Sequence, residues 1–235
     1  MTTLPIHPRS ATIGGLRPLV WGTGLLLSAV AMAAMLVVYS LVFFSFGLVL
    51  ASVVVSFLCA IPAAGLVEQR RDCFLMATVI GVATAAPVLL AATEQFLSAI
   101  QVLFLCIATV VLTIGCCRTL NILMDRSFAA SIVLIAGVLW ITLPVWASPW
   151  LDRPAMSFVV DWVLPIQPVI ALNGAYPSLG AWSHQAVSYK WLTNLGTDVP
   201  YKLPENAWPA ILAHVAAAGA VLAIWRGRSN AKTQA

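Results

Sequence analysis

The chain has 235 residues, of which 61% are hydrophobic and only 9% are charged, and its formal net charge is +4. This composition excludes an ordinary water-soluble globular protein and is typical of a membrane protein. The basic residues stand singly or in pairs between apolar blocks. We therefore interpret them as determinants of membrane topology and expect membrane lipid, not nucleic acid, as a partner.

The first apolar stretch, residues 18–67, contains no Asp, Glu, Lys or Arg. Because a bilayer core of about 30 Å is crossed by about 20 helical residues, this stretch predicts two spans, at 19–39 and 47–67. Residues 1–17 precede it and contain Pro5 and Pro8, which predicts a short irregular tail.

Four later charge-free intervals are each long enough for one further span. They are residues 73–93, 95–117, 127–151 and 206–225. Together with the first two, they predict an all-α bundle of six transmembrane helices that forms a single domain, residues 1–235. An even number of spans places both termini on the same side of the membrane.

The basic residues predict which side that is, because short cytoplasmic loops are rich in Lys and Arg. With both termini inside, the tails 1–17 and 226–235 are cytoplasmic, and so are most of the basic residues. Those are Arg9, Arg17, Arg70, Arg71, Arg118, Arg126, Arg226, Arg228 and Lys232. We expect a cell membrane location, most simply the bacterial inner membrane.

Residues 152–205 then form an extracytoplasmic loop that is rich in aromatic residues and proline. The run 162–172 is too short and too interrupted by proline to span, so it predicts a re-entrant or interfacial piece. Residues 184–196 predict a short amphipathic helix. Candidate residues for an outer gate or a docking segment are Trp162, Pro165, Pro168, Trp182 and Trp191.

A compact charged loop, residues 68–72, joins the second and third predicted spans. It is either a simple topology anchor or a docking element whose arginines pair with carboxylates of a cytoplasmic subunit. The candidate partner-coupling residues are Glu68, Arg70, Arg71 and Asp72.

His214 is the histidine that falls inside a predicted span. We interpret it as an intramembrane polar contact with a neighbouring helix, and the alternative is a haem ligand. Ser131 lies in another span, but no G-x-S-x-G frame surrounds a serine, so a hydrolase is not favoured. The adjacent Cys116 and Cys117 lack metal-ligand spacing, and we expect no enzyme activity, cofactor or metal.

Ion-driven carriers usually keep ionisable residues at bilayer depth, where they relay charge. The predicted spans contain no Asp, Glu, Lys or Arg apart from Glu94 at an outer turn, and the chain has no G-x-x-x-x-G-K-[ST] motif for nucleotide. If the chain transports a substrate, the energy is therefore expected from a separate ATPase. No sequence feature indicates what the substrate is.

This arrangement of six spans, a charged loop after the second and a broken outer loop before the last resembles the permease subunits of ABC-2-type transporters. The stretch LPIQPVIALNGAYP, residues 164–177, is similar to the proline-containing segment that many of them carry before the last span. The resemblance implies a homodimer, or a pairing with a related permease, and two cytoplasmic ATPase subunits. Residues 68–72 would be the coupling element, and the broken outer segment would gate the exit.

Two other function classes remain open from the sequence. The chain is alternatively a structural or assembly subunit of a larger membrane complex, with its aromatic outer loop as a protein-docking surface. A haem-bearing membrane anchor, with His214 as ligand, is the third hypothesis.

Overall fold

A computed structural model describes residues 27, 30–31, 46–91, 95–151, 153, 156–176 and 204–234. These residues are helical or lie in turns, and no strand occurs among them, so the prediction of an all-helical fold is confirmed for this part of the chain. The tail 1–17 and most of the first predicted span lie outside the described residues.

Eight α-helices occur among the described residues. They are α1 (Phe46–Ala63), α2 (Arg70–Ala91), α3 (Phe96–Leu120), α4 (Arg126–Ile141), α5 (Leu143–Trp146), α6 (Ser148–Leu151), α7 (Pro168–Ala175) and α8 (Trp208–Gln234). A π-helical turn (Val159–Val163) and a 3-10 turn (Leu164–Ile166) come directly before α7.

Three of the described helices are long and apolar enough to cross a membrane: α2, α3 and residues 208–225 of α8. Helices α1 and α4 are also apolar but have 18 and 16 residues. At about 1.5 Å per residue, those lengths fall slightly short of a hydrocarbon core of about 30 Å. The long apolar helices support a membrane location.

Two of the predicted spans end earlier in the structure than the sequence predicts. The second, predicted to reach residue 67, ends as helix at Ala63 and continues as a turn over 64–66. The fifth, predicted as one span over 127–151, ends at Ile141 and is followed by the one-turn helices α5 and α6. Pro144 explains this second break, because it lacks a backbone N–H and suits the first turn of a new helix.

Helix α3 is the centre of the bundle and packs against α1, α2 and α8. Small and hydroxyl side chains allow close approach there, as is common between apolar helices. The hydroxyls of Ser56 and Thr84 are 2.6 Å apart and link α1 to α2. Thr84 also donates to the carbonyl of Ile80 at 2.9 Å, so this buried polar pair is satisfied within the core.

Gly81 marks the closest approach of α2 to α3. A Cβ atom at Gly81 would lie 2.5 Å from Cγ1 of Ile107 and 3.1 Å from its backbone nitrogen. A Cβ at Gly219 of α8 would meet nothing within 4 Å. The two glycines therefore offer the same substitution in a tight and an open setting.

We predict that Gly81→Ala lowers the free energy of unfolding by about 1–3 kcal/mol, because the backbone of α3 must move away. Gly219→Ala should leave it unchanged or raise it by up to about 1 kcal/mol through helix propensity. Thermal unfolding in detergent, followed by circular dichroism, measures both. Equal unfolding temperatures for the two variants would contradict the close packing of α2 on α3.

Candidate functional site

One end of the bundle gathers most of the charged side chains that the structure describes. We call residues 64–72 with Arg118, Arg126 and Trp225 the charged end. Nη2 of Arg70 donates to the carbonyl of Leu222 in α8 at 2.7 Å. The guanidinium of Arg118 lies 5.6 Å from the ring centroid of Trp225, a cation–π distance. Arginines that the sequence predicts on one side of the membrane therefore lie together.

Two neighbouring arginines of the charged loop have different surroundings. Arg70 is part-buried and fixed to α8 by its hydrogen bond. The side chain of Arg71 is 58% exposed, and its Nε lies 3.8 Å from Oδ1 of Asp72. An exposed ion pair of this kind contributes at most about 1 kcal/mol. Because Arg71 is exposed and only weakly paired, it is the residue of the two that a partner can reach.

The described residues between 142 and 176, which we call the broken segment, form short helical pieces. Trp162 lies in its π-helical turn and is 69% exposed, and Pro165 lies in the 3-10 turn. We call Trp146, Trp150, Phe158 and Trp162, all exposed, the aromatic rim. The rings of Trp146 and Trp150 meet edge to face at 6.3 Å. Aromatic side chains of this kind are favoured at the boundary between lipid and water.

Gln167 joins the end of α4 to the start of α7. Its side chain is fully buried, and its Nε2 donates to the carbonyls of Trp140 at 3.2 Å and Ile141 at 2.8 Å. Its Oε1 accepts from the backbone N–H of Ile170 at 2.8 Å. One amide thus satisfies backbone groups at both helix ends, which helices otherwise leave unpaired.

Below this junction lies a cavity of about 320 Å³, walled by α1, α3, α4, α8 and the start of α7. Two sequence-predicted residues, Pro168 and His214, both line it. The described residues that line it are Val53, Phe57, Thr109, Leu112, Thr113, Cys116, Val133, Ala136, Gly137, Trp140, Ile141, Ile166, Pro168, Ala213, His214 and Ala217. None of them is charged.

His214 is 6% exposed and contributes an aromatic wall to the cavity. Its Nδ1 lies 2.7 Å from the carbonyl oxygen of Ala210, one turn earlier in α8. Its ring centroid is 6.5 Å from that of Trp140 in α4, and the two ring planes are tilted by 48°. The hydrogen bond that the structure shows for His214 therefore lies within its own helix, whereas the sequence predicts one to a neighbouring helix.

The opposite end of the bundle ties the broken segment and α8 to α3. Oε1 of Gln101 accepts from the N–H of Ala207 at 2.7 Å, just before α8 begins. Ser98 donates to the carbonyl of Ala175 at 3.0 Å, at the end of α7. The next residue, Tyr176, is fully buried, and burial raises the pKa of its phenol.

The chain matches no family model, no curated protein and no solved structure. The assignment of a function therefore depends on the cavity, the charged end and the broken segment themselves.

The structure brings some of the predicted residues together and separates others. Pro168 and His214 share the cavity, whereas Glu68, Arg70, Arg71 and Asp72 lie at the charged end. Trp182, Trp191 and the predicted helix at 184–196 lie outside the described residues.

Sequence analysis missed Gln167, Thr109, Phe57 and Trp140. A signal existed for Gln167, because a polar residue directly before a proline is a typical helix start. Thr109 gave no signal, since a threonine in an apolar helix usually bonds to its own backbone. Phe57 and Trp140 are single aromatic residues in apolar helices, and only the packing shows that they share a cavity.

We predict that Gln167→Leu lowers the free energy of unfolding by about 2 kcal/mol, because the buried N–H of Ile170 loses its acceptor and two part-buried carbonyls of α4 lose a donor. Gln69→Leu, the same change at an exposed position, should stay within about 0.5 kcal/mol of the parent. Thermal unfolding in detergent compares them. A Gln167→Leu variant as stable as Gln69→Leu would contradict the capping role of the amide.

Proposed function

We propose that this chain is the membrane-spanning permease subunit of an ATP-driven, ABC-2-like transporter. It crosses a cell membrane, most simply the bacterial inner membrane, several times and has both termini in the cytoplasm. It works as a homodimer or with a related permease, together with cytoplasmic ATPase subunits. The observation that carries the proposal is an uncharged cavity that lies between a broken segment and an exposed charged loop.

The polar groups of the cavity support the proposal that the energy for transport comes from a separate subunit. Its described lining contains hydroxyl, thiol and imidazole groups but no carboxylate, ammonium or guanidinium. A carrier driven by protons or sodium ions usually places such charges within its substrate path. The charged groups of the described chain are instead concentrated at the ends of the helices, where a soluble partner has access to them.

The broken segment supports a transport role for the cavity. Non-helical backbone in an apolar bundle is tolerated where it is buried in protein or lines a cavity. Here Ile166 and Pro168, at the break, line the cavity directly. A segment built from short pieces can be displaced without unwinding a long helix, which suits a gate.

The charged loop is the place where we expect an ATPase to act. Arg71→Glu should abolish the stimulation of the partner's ATPase activity by this chain, because the introduced carboxylate repels the carboxylates with which the accessible arginine would pair. The free energy of unfolding of the Arg71→Glu variant should differ from that of the parent by less than about 1 kcal/mol, because only a weak exposed ion pair is lost. Purification in mild detergent, followed by ATPase assays of the co-purified complex, measures both.

Arg153→Glu is the matched control, because Arg153 is exposed and lies in the broken segment. It should leave the stimulation unchanged. If no nucleotide-binding protein co-purifies with the parent chain, the transporter proposal fails. If a complex forms and Arg71→Glu stimulates as well as the parent, the loop is not the coupling element.

The aromatic rim favours a second candidate function, a structural or assembly subunit of a larger membrane complex. Large exposed aromatic side chains are enriched in the cores of protein interfaces. Three tryptophans and a phenylalanine of the rim are each at least 43% exposed. A partner without ATPase activity would then cover the rim.

Photo-crosslinking distinguishes the two functions. A benzoylphenylalanine in place of Trp162 should crosslink to lipid if the rim only marks the membrane boundary. It should give one discrete protein adduct if the rim docks an assembly partner. The same probe at Leu212, an exposed apolar position in α8, provides the lipid-facing control.

A further inference from the structure

Two polar side chains of the cavity wall, His214 and Thr109, can contact a ligand. Nδ1 of His214 faces a carbonyl oxygen, which only accepts, so this nitrogen carries the proton. In the neutral ring Nε2 is then an acceptor, and it is the remaining polar atom of a ring that lines the cavity. This acceptor suits a ligand that donates a hydrogen bond.

Thr109 supplies the second polar atom. Its side chain is 7% exposed and lines the cavity, and its Oγ1 is buried without a hydrogen-bond partner. One turn later Thr113 behaves as usual, because its hydroxyl donates to the carbonyl of Thr109 at 2.8 Å. An unpartnered buried hydroxyl is costly, so Thr109 points to a group that binds there.

The other lining residues limit the class of ligand that can carry this group. No charged side chain is present among the described lining residues, so an ionised ligand would be buried without compensation. Three aromatic rings, those of Phe57, Trp140 and His214, form walls that favour a flat ring. The volume of about 320 Å³ is about twice that of a cavity that holds benzene, which corresponds to two fused rings.

The cavity also has a mouth between two apolar helices. Ala136 of α4 and Ala217 of α8 line it and are exposed. Both residues are small, so they leave the opening unobstructed. In a bilayer this mouth faces hydrocarbon, from which an uncharged aromatic molecule partitions readily.

We propose that the cavity is a binding site for a small uncharged aromatic alcohol. Its hydroxyl donates to Nε2 of His214 and accepts from Oγ1 of Thr109, and its rings pack against Phe57 and Trp140. The proposal does not depend on the transporter function, because binding is measured at equilibrium on the chain alone. An acyl chain, by contrast, would leave both polar atoms unpaired.

The test compares 2-naphthol with naphthalene, which differs only by the hydroxyl. The full chain in lipid nanodiscs is equilibrated with each probe, and binding to empty nanodiscs is subtracted. We expect 2-naphthol to bind about fivefold more tightly or better, the effect of one net hydrogen bond. Equal affinities for the two probes would overturn the proposal.

Substitutions in the cavity test which residues contact the ligand. Thr109→Val and His214→Phe keep the shape of each side chain and should each weaken 2-naphthol binding about fivefold, with naphthalene binding changed less than twofold. Thr78→Val is the matched control, because Thr78 is an exposed threonine of α2 that bonds to its own helix. It should change neither affinity.

The unfolding temperature of each ligand-free variant shows whether the substituted residue contacts the ligand or only stabilises the fold. Thr109→Val removes an unpartnered hydroxyl, so the ligand-free variant should unfold at the same temperature as the parent or higher. Ala217→Phe fills the mouth and should abolish the binding of both probes in a protein that remains folded by circular dichroism. Unchanged binding in Ala217→Phe, or equal losses of both probes in His214→Phe, would overturn the assignment.

Discussion

A helix that ends inside an apolar bundle leaves backbone N–H and C=O groups that must find partners within the protein. The break after Ile141 creates this problem twice, at the end of α4 and again at the start of α7. Gln167 solves both at once, since its amide donates to two carbonyls of α4 and accepts from one N–H of α7. The connection of α4 to α7 depends on this one buried side chain.

The junction has a consequence for the space beneath it. Ile166 and Pro168, at the start of α7, line the cavity, so the short pieces leave open the space that it occupies between α4 and α8. A continuous helix over residues 127–151 would have extended one wall past this point. The cavity is therefore a product of the break, and its polar atoms come from the helices that stay intact, α3 and α8.

Composition and charge-free length were sufficient to predict a helical membrane-type fold, because these depend on the solvent around the chain. They also located the charged loop, since Arg70 and Arg71 are visible as charges in an apolar sequence. The end of α4 was harder, because Pro144 permits either a kinked span or a new helix. The cavity depends on which side chains from α1, α3, α4 and α8 meet. The residue spacing within one helix does not determine which residues of another helix it contacts, so the cavity could not be predicted from the sequence.

Helix α8 connects the two places that the proposed function requires. Its carbonyl at Leu222 accepts the hydrogen bond of Arg70, and its His214 lines the cavity eight residues earlier, about 12 Å along the axis. It is bonded to α3 through Thr119 and Val221, whereas it meets α4 through the ring pair of His214 and Trp140. A partner that displaces the charged loop would therefore move α8 together with α3 and change the spacing to α4. Labels on α4 and α8 would report that spacing, and a distance unchanged by nucleotide in the assembled complex would exclude this route of coupling.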